Sequence, residues 1–288
     1  MKVLITGAGG QLGSALQTMA PQDAIIIAMA KIDLDITDAA AVLRVMKEHK
    51  PQLIFNAAAY TDVDRAEHEP GKAQAVNGTA VGVLAAEAVK AGARFVHVSS
   101  DYVFGGMKGA PYRPEDSPDP INAYGKSKLD GERAALASDP GSLIVRAAWV
   151  YAHSTKNFVD TMLKSMRRQS EIYVVDDQIG TPTYAPGLAS ALWTLARKGA
   201  EGIFHYTDSG VASRYEFASA IREKALALGL LASAGPVIPI STIEDGTCAK
   251  RPLFSVLDKS KTWAAMTHTA PHWRTNLHSM LSASCGHD

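Results

Sequence analysis

Short apolar runs alternate with stretches of helical spacing along the first half of the chain. KVLIT (2–6) reads as a strand and QLGSALQTMA (11–20) as the opening of a helix. AIIIAMA (24–30) is a second strand. In DAAAVLRVMKEH (38–49), Val42, Leu43, Val45 and Met46 recur at helical spacing. PQLIFNAAAY (51–60) predicts a third strand. AQAVNGTAVGVLAAEAVKAG (73–92) predicts one long helix, with Gly92 at its C-terminal stop. RFVHVSS (94–100) is a fourth strand, AYGKSKLDGERAALA (123–137) a helix, and SLIVRAAWVY (142–151) a further strand. Strands that alternate with helices of this length build βαβ units, hence a parallel sheet covered on both faces.

Beyond residue 150 the rhythm loosens. Helices are predicted over 157–169, 184–199 and 213–230, the last starting at Ser213, and strands over 171–176 and 202–208. Residues 233–255 are rich in Pro, Gly and Ser and read as loops with short strands.

The first turn carries chemistry. TGAGGQLG (6–13) sets Gly7, Gly10 and Gly13 in GxxGxxG spacing, directly after a strand and opening a helix. Gly7 permits a tight turn, Gly10 lets backbone N–H groups approach a pyrophosphate, and Gly13 lets helix and strand pack closely. Gln11 and Leu12 head the helix whose positive end favours the phosphate charge. The fold class is therefore α/β, a Rossmann-type doubly wound parallel sheet with a smaller C-terminal α/β substrate lobe. Residues 1–150 are assigned to the dinucleotide-binding domain, together with 172–198. Residues 151–171 and 199–288 are assigned mainly to the lobe. An acid ending the second strand would accept from a ribose hydroxyl, whereas a base would receive a 2′-phosphate. The first charge after that strand is Lys31, which favours NADPH, with NADH as the alternative; Asp33 and Asp35 follow closely. Asp35 and Ile36 are placed to frame the adenine.

A second cluster lies at HVSSDYVFGG (97–106). An apolar strand that ends in hydroxyls delivers them to the carboxyl edge of a parallel sheet, where such folds bind ligands. Val98 and Ser100 are expected there, against the nicotinamide. Tyr124 and Lys128 form a YxxxK pair on one helical face. A free tyrosine has a pKa near 10, so the lysine is expected to lower it and to hold the nicotinamide ribose. Ser100 and Tyr124 would then converge on one carbonyl oxygen while hydride reaches the carbon.

Composition narrows the class. The chain has 288 residues, with 29 basic and 29 acidic side chains and a formal net charge of zero. Balanced charge argues against a protein built to hold nucleic acid or an anionic membrane. Cys248 and Cys285 lack a CxxC spacing and read as reduced thiols, and the apolar N-terminal run is too short to span a membrane. A cytoplasmic location is expected.

Finer motifs point to a family. NAAAYTDVDRAE, SSDYVFGG, NAYGKSKLDGE, RAAWVYA, NFVDTML, DQIGTPT and RPLFSVLD resemble the dTDP-4-dehydrorhamnose reductases among the extended short-chain dehydrogenase/reductases, and the resemblance runs from residue 1 to about residue 260. The resemblance implies reduction of the C4 keto group of dTDP-4-dehydro-L-rhamnose to dTDP-L-rhamnose. It implies that Ser100 holds the C4 oxygen, Tyr124 donates the proton and Lys128 partners it. Ala58, Ala59, Tyr60 and Thr61 would border the cofactor. Val63, Asp101 and Trp149 would line the sugar pocket, with Asn157, Gln178 and Arg251 serving the nucleotide half, Arg251 as a phosphate clamp. Some members hold magnesium at a dimer contact through acids; the matching positions are Ser14, Ala15, Pro186 and Ser190, so no metal is expected, and the chain is expected to be a monomer or weak homodimer. His268, His272, His278 and His287 lack a compact ligand pattern and read as surface residues. Two other readings remain: a nucleotide-sugar epimerase or dehydratase on the same scaffold, and a non-catalytic cofactor-binding subunit such as the one that regulates methionine adenosyltransferase. No acid at the second strand end supports the first, and the intact Ser100, Tyr124 and Lys128 oppose the second.

Overall fold

The computed structural model describes residues 1–153 and 156–283; Cys285 and His287 lie outside the described residues. Six strands form one parallel sheet: β1 (Lys2–Thr6), β2 (Ile25–Met29), β3 (Leu53–Asn56), β4 (Arg94–Ser100), β5 (Leu143–Ala147) and β6 (Gly202–His205). Their order is 2-1-3-4-5-6, so the chain reverses direction across the sheet between β1 and β3. β3 and β5 are buried at every position, as expected of strands covered on both faces. One face packs on the helices Gln11–Thr18 and Ala185–Arg197, the other on Ala39–His49 and Ala80–Ala91. Trp193 ties the first pair together. Its ring meets Phe55 edge-on with centroids 4.7 Å apart, and its indole N–H donates to Leu16 O at 3.0 Å.

The smaller lobe has its own core. Strand Ile172–Val175 pairs in parallel with Val237–Ile240, and helices Phe158–Met166, Arg214–Ala227 and Trp273–Ala283 close over Phe217, Ile221, Trp273 and Leu277. Ser213 caps the helix Arg214–Ala227 in a reciprocal capping box with Glu216.

Several sequence expectations change. The strand in 202–208, expected in the lobe, joins the main sheet as β6, in register with β5 at Ile203↔Ile144. The strand in 171–176, expected in the large domain, pairs inside the lobe. Both are short apolar runs, and only the open edge that each meets decides its sheet. The single strand expected over 142–151 breaks at Trp149, whose φ of 46° is left-handed, and resumes as Val150–Tyr151. The long helix over 73–92 is in fact Pro70–Gln74, a π-helical turn at Ala75–Thr79, and Ala80–Ala91. Helices Val63–His68, Ser260–Met266 and Trp273–Ala283 add to the expected elements.

Candidate functional site

A cavity of about 940 Å³ opens along the carboxyl ends of the strands, where the sheet order reverses. Gly7 leaves β1 at a φ of 67°, and a Cβ there would lie 2.6 Å from the Ala58 backbone that leaves β3. Gly10 N donates to Gly7 O at 3.0 Å, and Gly10 caps the helix Gln11–Thr18 without a side chain. Gly13 stands behind this turn: a Cβ would come within 2.2 Å of Gly7 O, so the helix can approach only with glycine there. Gln17 Nε2 braces the loop by donating to Ala8 O at 2.9 Å and to Gly13 O at 3.0 Å. Gln11 and Leu12 line the cavity, and Gln11 Oε1 is buried with no partner among the described residues. A glycine cradle at a helix N-terminus with an orphaned polar atom fits a dinucleotide pyrophosphate. At the far end, Lys31, Asp35 and Ile36 line the wall; Asp33 is engaged instead in capping Ala30 N at 2.9 Å, so Lys31 is the charge offered next to β2. Ala58, Ala59, Tyr60, Thr61, Val63 and Val98 complete this half.

The opposite half gathers the hydroxyls. Ser100 ends β4, accepts from Tyr102 N at 3.1 Å and donates to Asp101 Oδ1 at 3.1 Å. It therefore caps the turn Asp101–Val103 and also lines the cavity. Tyr124 sits in the first turn of the helix Ala123–Ser138. Asn122 caps that helix, accepting from Gly125 N at 2.7 Å and donating to Lys250 O at 2.8 Å. Gly125 allows close docking, since a Cβ would lie 2.1 Å from Tyr102 O. Asn77, at the centre of the π-helical turn, bonds Tyr60 N at 2.8 Å, Tyr60 O at 3.0 Å and Ser127 Oγ at 3.0 Å, tying the loop after β3 to the same helix.

Electrostatics differ from the sequence expectation. Burial pushes the Tyr124 phenol up, the Ser100 hydroxyl opposes this, and the charges of Asp101 and Tyr102 add to it. Lys128 does not lower Tyr124, because its amine is turned to the sheet: Nζ donates to Val98 O at 2.6 Å and lies 3.4 Å from His97 Nε2. Lys128 itself is lowered to about 8, by burial first and against the pull of Glu132. Burial raises the Asp101 carboxyl to about 6.

Of the expected sugar and nucleotide contacts, Val63, Ser100, Asp101, Trp149 and Asn157 line the cavity. Trp149 needs its left-handed backbone to turn its ring inward, and Gly180 leaves the room: a Cβ there would sit 2.7 Å from the indole. Gln178 and Arg251 are not among the lining residues. Gln178 Nε2 donates to Thr242 Oγ1 at 3.0 Å, and the Arg251 guanidinium is held by both Asp64 oxygens at 2.5 and 3.2 Å. Asp64 thus takes both arms of the Arg251 fork. An arginine that does line the cavity is Arg214, stacked 3.7 Å over Trp149 and 5.3 Å from Phe158. Sequence reasoning missed it, along with Tyr102, Lys156 and Phe158. The available signal was an arginine in a first helical turn, where the helix dipole disfavours a cation.

A doubly wound sheet, a glycine cradle, a strand-end serine and a Tyr-Lys pair one helical turn apart define the extended short-chain dehydrogenase/reductases. The family described as RmlD substrate binding domain matches residues 1–285. The chain is 40% identical to the Spore coat polysaccharide biosynthesis protein SpsK of Bacillus subtilis (strain 168), over 99% of both. A dTDP-4-dehydrorhamnose reductase of Clostridium acetobutylicum ATCC 824 superposes with a TM-score of 0.92 at 37% identity, over 99% of both chains. That of Bacillus anthracis str. Ames, solved in complex with NADP, gives 0.90 at 35% identity, over 97% of this chain and 98% of the other. The chain belongs to the dTDP-4-dehydrorhamnose reductase family.

Proposed function

We propose that the chain reduces the C4 keto group of dTDP-4-dehydro-L-rhamnose with NADPH, giving dTDP-L-rhamnose. The observation that carries this reading is the cavity itself. It joins the glycine cradle to Ser100 and Tyr124, in a chain similar over nearly its whole length to reductases of that name. Gly7, Gly10, Gln11 and Leu12 would hold the cofactor pyrophosphate, Lys31 its 2′-phosphate, and Val98, Tyr124 and Lys128 its nicotinamide end. When bound, the cofactor supplies the hydride. Ser100 and Tyr124 direct two hydroxyl donors at the C4 oxygen, stabilising the alkoxide as it develops. A phenol whose pKa is raised by burial keeps its proton at neutral pH and yields it to the stronger alkoxide base, which suits Tyr124 as proton donor in the reductive direction. Trp149 and Phe158 offer faces to the sugar, and Arg214 offers charge to the diphosphate.

The test follows NADPH and then NADH absorbance with enzymatically generated dTDP-4-dehydro-L-rhamnose, for wild type and Tyr124→Phe. Tyr124→Phe should lower kcat by about 10²- to 10⁴-fold while still binding NADPH. No sugar-dependent oxidation of either cofactor by folded, cofactor-binding wild type would overturn the proposal.

A further inference from the structure

A row of polar side chains crosses the sheet where β1, β3 and β4 otherwise bury apolar residues. Thr6, Asn56 and His97 occupy paired positions on these adjacent strands, and each is wholly buried. Thr6 Oγ1 donates to Asn56 Oδ1 at 2.7 Å, and Asn56 Nδ2 lies 3.1 Å from His97 Nδ1. His97 Nε2 lies 3.4 Å from Lys128 Nζ, whose bond to Val98 O is 2.6 Å long. Burying three such side chains is costly unless each is bonded, and apolar residues of similar volume would fill the row without that demand. The row ends at the amine of the Tyr-Lys pair.

We propose that His97 is a positioning residue that holds the Lys128 amine through Nε2 while Asn56 fixes the ring through Nδ1. The consequence for turnover rests on the function proposed above. Burial, with Lys128 nearby, keeps the imidazole neutral. A neutral ring carries one N–H, so one nitrogen donates and the other accepts. With the Asn56 oxygen toward Nδ1, the ring proton lies on Nδ1 and Nε2 accepts from a Lys128 ammonium. With the Asn56 amide N–H toward Nδ1, as found, the proton lies on Nε2 and matches an uncharged amine. The row thus has one hydrogen-bond arrangement for each protonation state of Lys128.

The other groups around Lys128 leave that role to His97. On its own helix stand Tyr124 and Glu132, and Glu132 is held by Arg146 at 2.7 Å. The turn Asp101–Val103 brings Asp101 and Tyr102. Of the helices packed against this one, Val63–His68 contributes Glu67, which accepts from Ala123 N at 2.7 Å. Pro70–Gln74 carries Lys72, and Ala80–Ala91 carries Glu87; each is paired elsewhere, with Glu69 and Lys90. The Lys128 amine instead meets Val98 O and His97 Nε2.

Two substitutions separate positioning from packing. An asparagine amide can stand in for the Nδ1 end of the ring and keep the Asn56 bond, and a glutamine amide reaches the Nε2 end and keeps the Lys128 bond. The full chain, labelled with ¹³C at lysine Cε, would be titrated by NMR as wild type, His97→Asn and His97→Gln, with the Lys128 signal assigned by its loss in Lys128→Arg. The pH dependence of kcat/KM would be recorded on the same three proteins. Lys128 should titrate about one pH unit lower in His97→Asn, the alkaline limb of kcat/KM should move with it, and His97→Gln should restore both. Equal Lys128 titration in all three proteins, an equal fall in both variants, or a limb that stays put while Lys128 moves would each overturn the proposal. A wild type that turns over no keto-sugar would refute the function above, and the titration would still decide the link from His97 to Lys128.

Discussion

Lys128 should make this protein less stable than it need be, and the deficit should depend on pH in a defined direction. Burial lowers its pKa from 10.5 to about 8 in the folded chain. Between these values the unfolded chain binds the proton and the folded chain does not, so stability rises with pH through that window. Below pH 8 both forms are charged and the full cost of burying the ammonium is present. At 1.36 kcal/mol per pH unit, that cost is about 3 kcal/mol at pH 7 and under about 1 kcal/mol at pH 10. Lys128→Met keeps the length of the side chain and removes the charge. It also removes the bond to Val98 O, a loss of about 1–3 kcal/mol that does not titrate. Urea unfolding of both proteins at pH 7 and pH 10 separates the two contributions. The stability of Lys128→Met relative to wild type should fall by about 2.5 kcal/mol between the two pH values, whatever the constant offset. The tyrosines and Lys259, which also titrate, are common to both proteins and cancel. A constant difference across this range would refute the reasoning, since it would mean that Lys128 keeps its ordinary pKa in the folded chain.

Gly13→Ala would set a Cβ 2.2 Å from Gly7 O and 2.7 Å from Ala8 Cα, so backbone must move. It should destabilise by about 1–3 kcal/mol and weaken NADPH, read by thermal unfolding and by fluorescence titration of the cofactor. Arg146→Met should strand the buried Glu132 carboxylate, which it now holds at 2.7 and 2.9 Å, at a cost of about 3–5 kcal/mol. Adding Glu132→Leu should recover most of that loss in urea unfolding, because the desolvated charge is gone.

Much of the binding half of the site was legible in the sequence, because it depends on neighbours along the chain. The spacing of Gly7, Gly10 and Gly13 between an apolar run and a helix is a local pattern, and so is the separation of Tyr124 from Lys128 by one helical turn. The parallel sheet followed from the alternation of strands and helices, and the hydroxyl of Ser100 followed from its place at a strand end.

Only the tertiary structure decided what each group meets across long separations. Arg251 was a candidate for the phosphate, but Asp64 takes both arms of its guanidinium, and Arg214 reaches the cavity by stacking on Trp149 instead. The break at Trp149 is invisible in an apolar run; it exists because the ring turns into the cavity over Gly180. The lysine one turn from Tyr124 faces the sheet because Val98 O and His97 offer its amine partners there, so the proximity along the helix did not fix the electrostatics. Periodicity and spacing act through the local backbone and survive in the one-dimensional chain. Burial, hydrogen-bond partners and open sheet edges are properties of surfaces that come together only on folding, and at these positions they chose the partner.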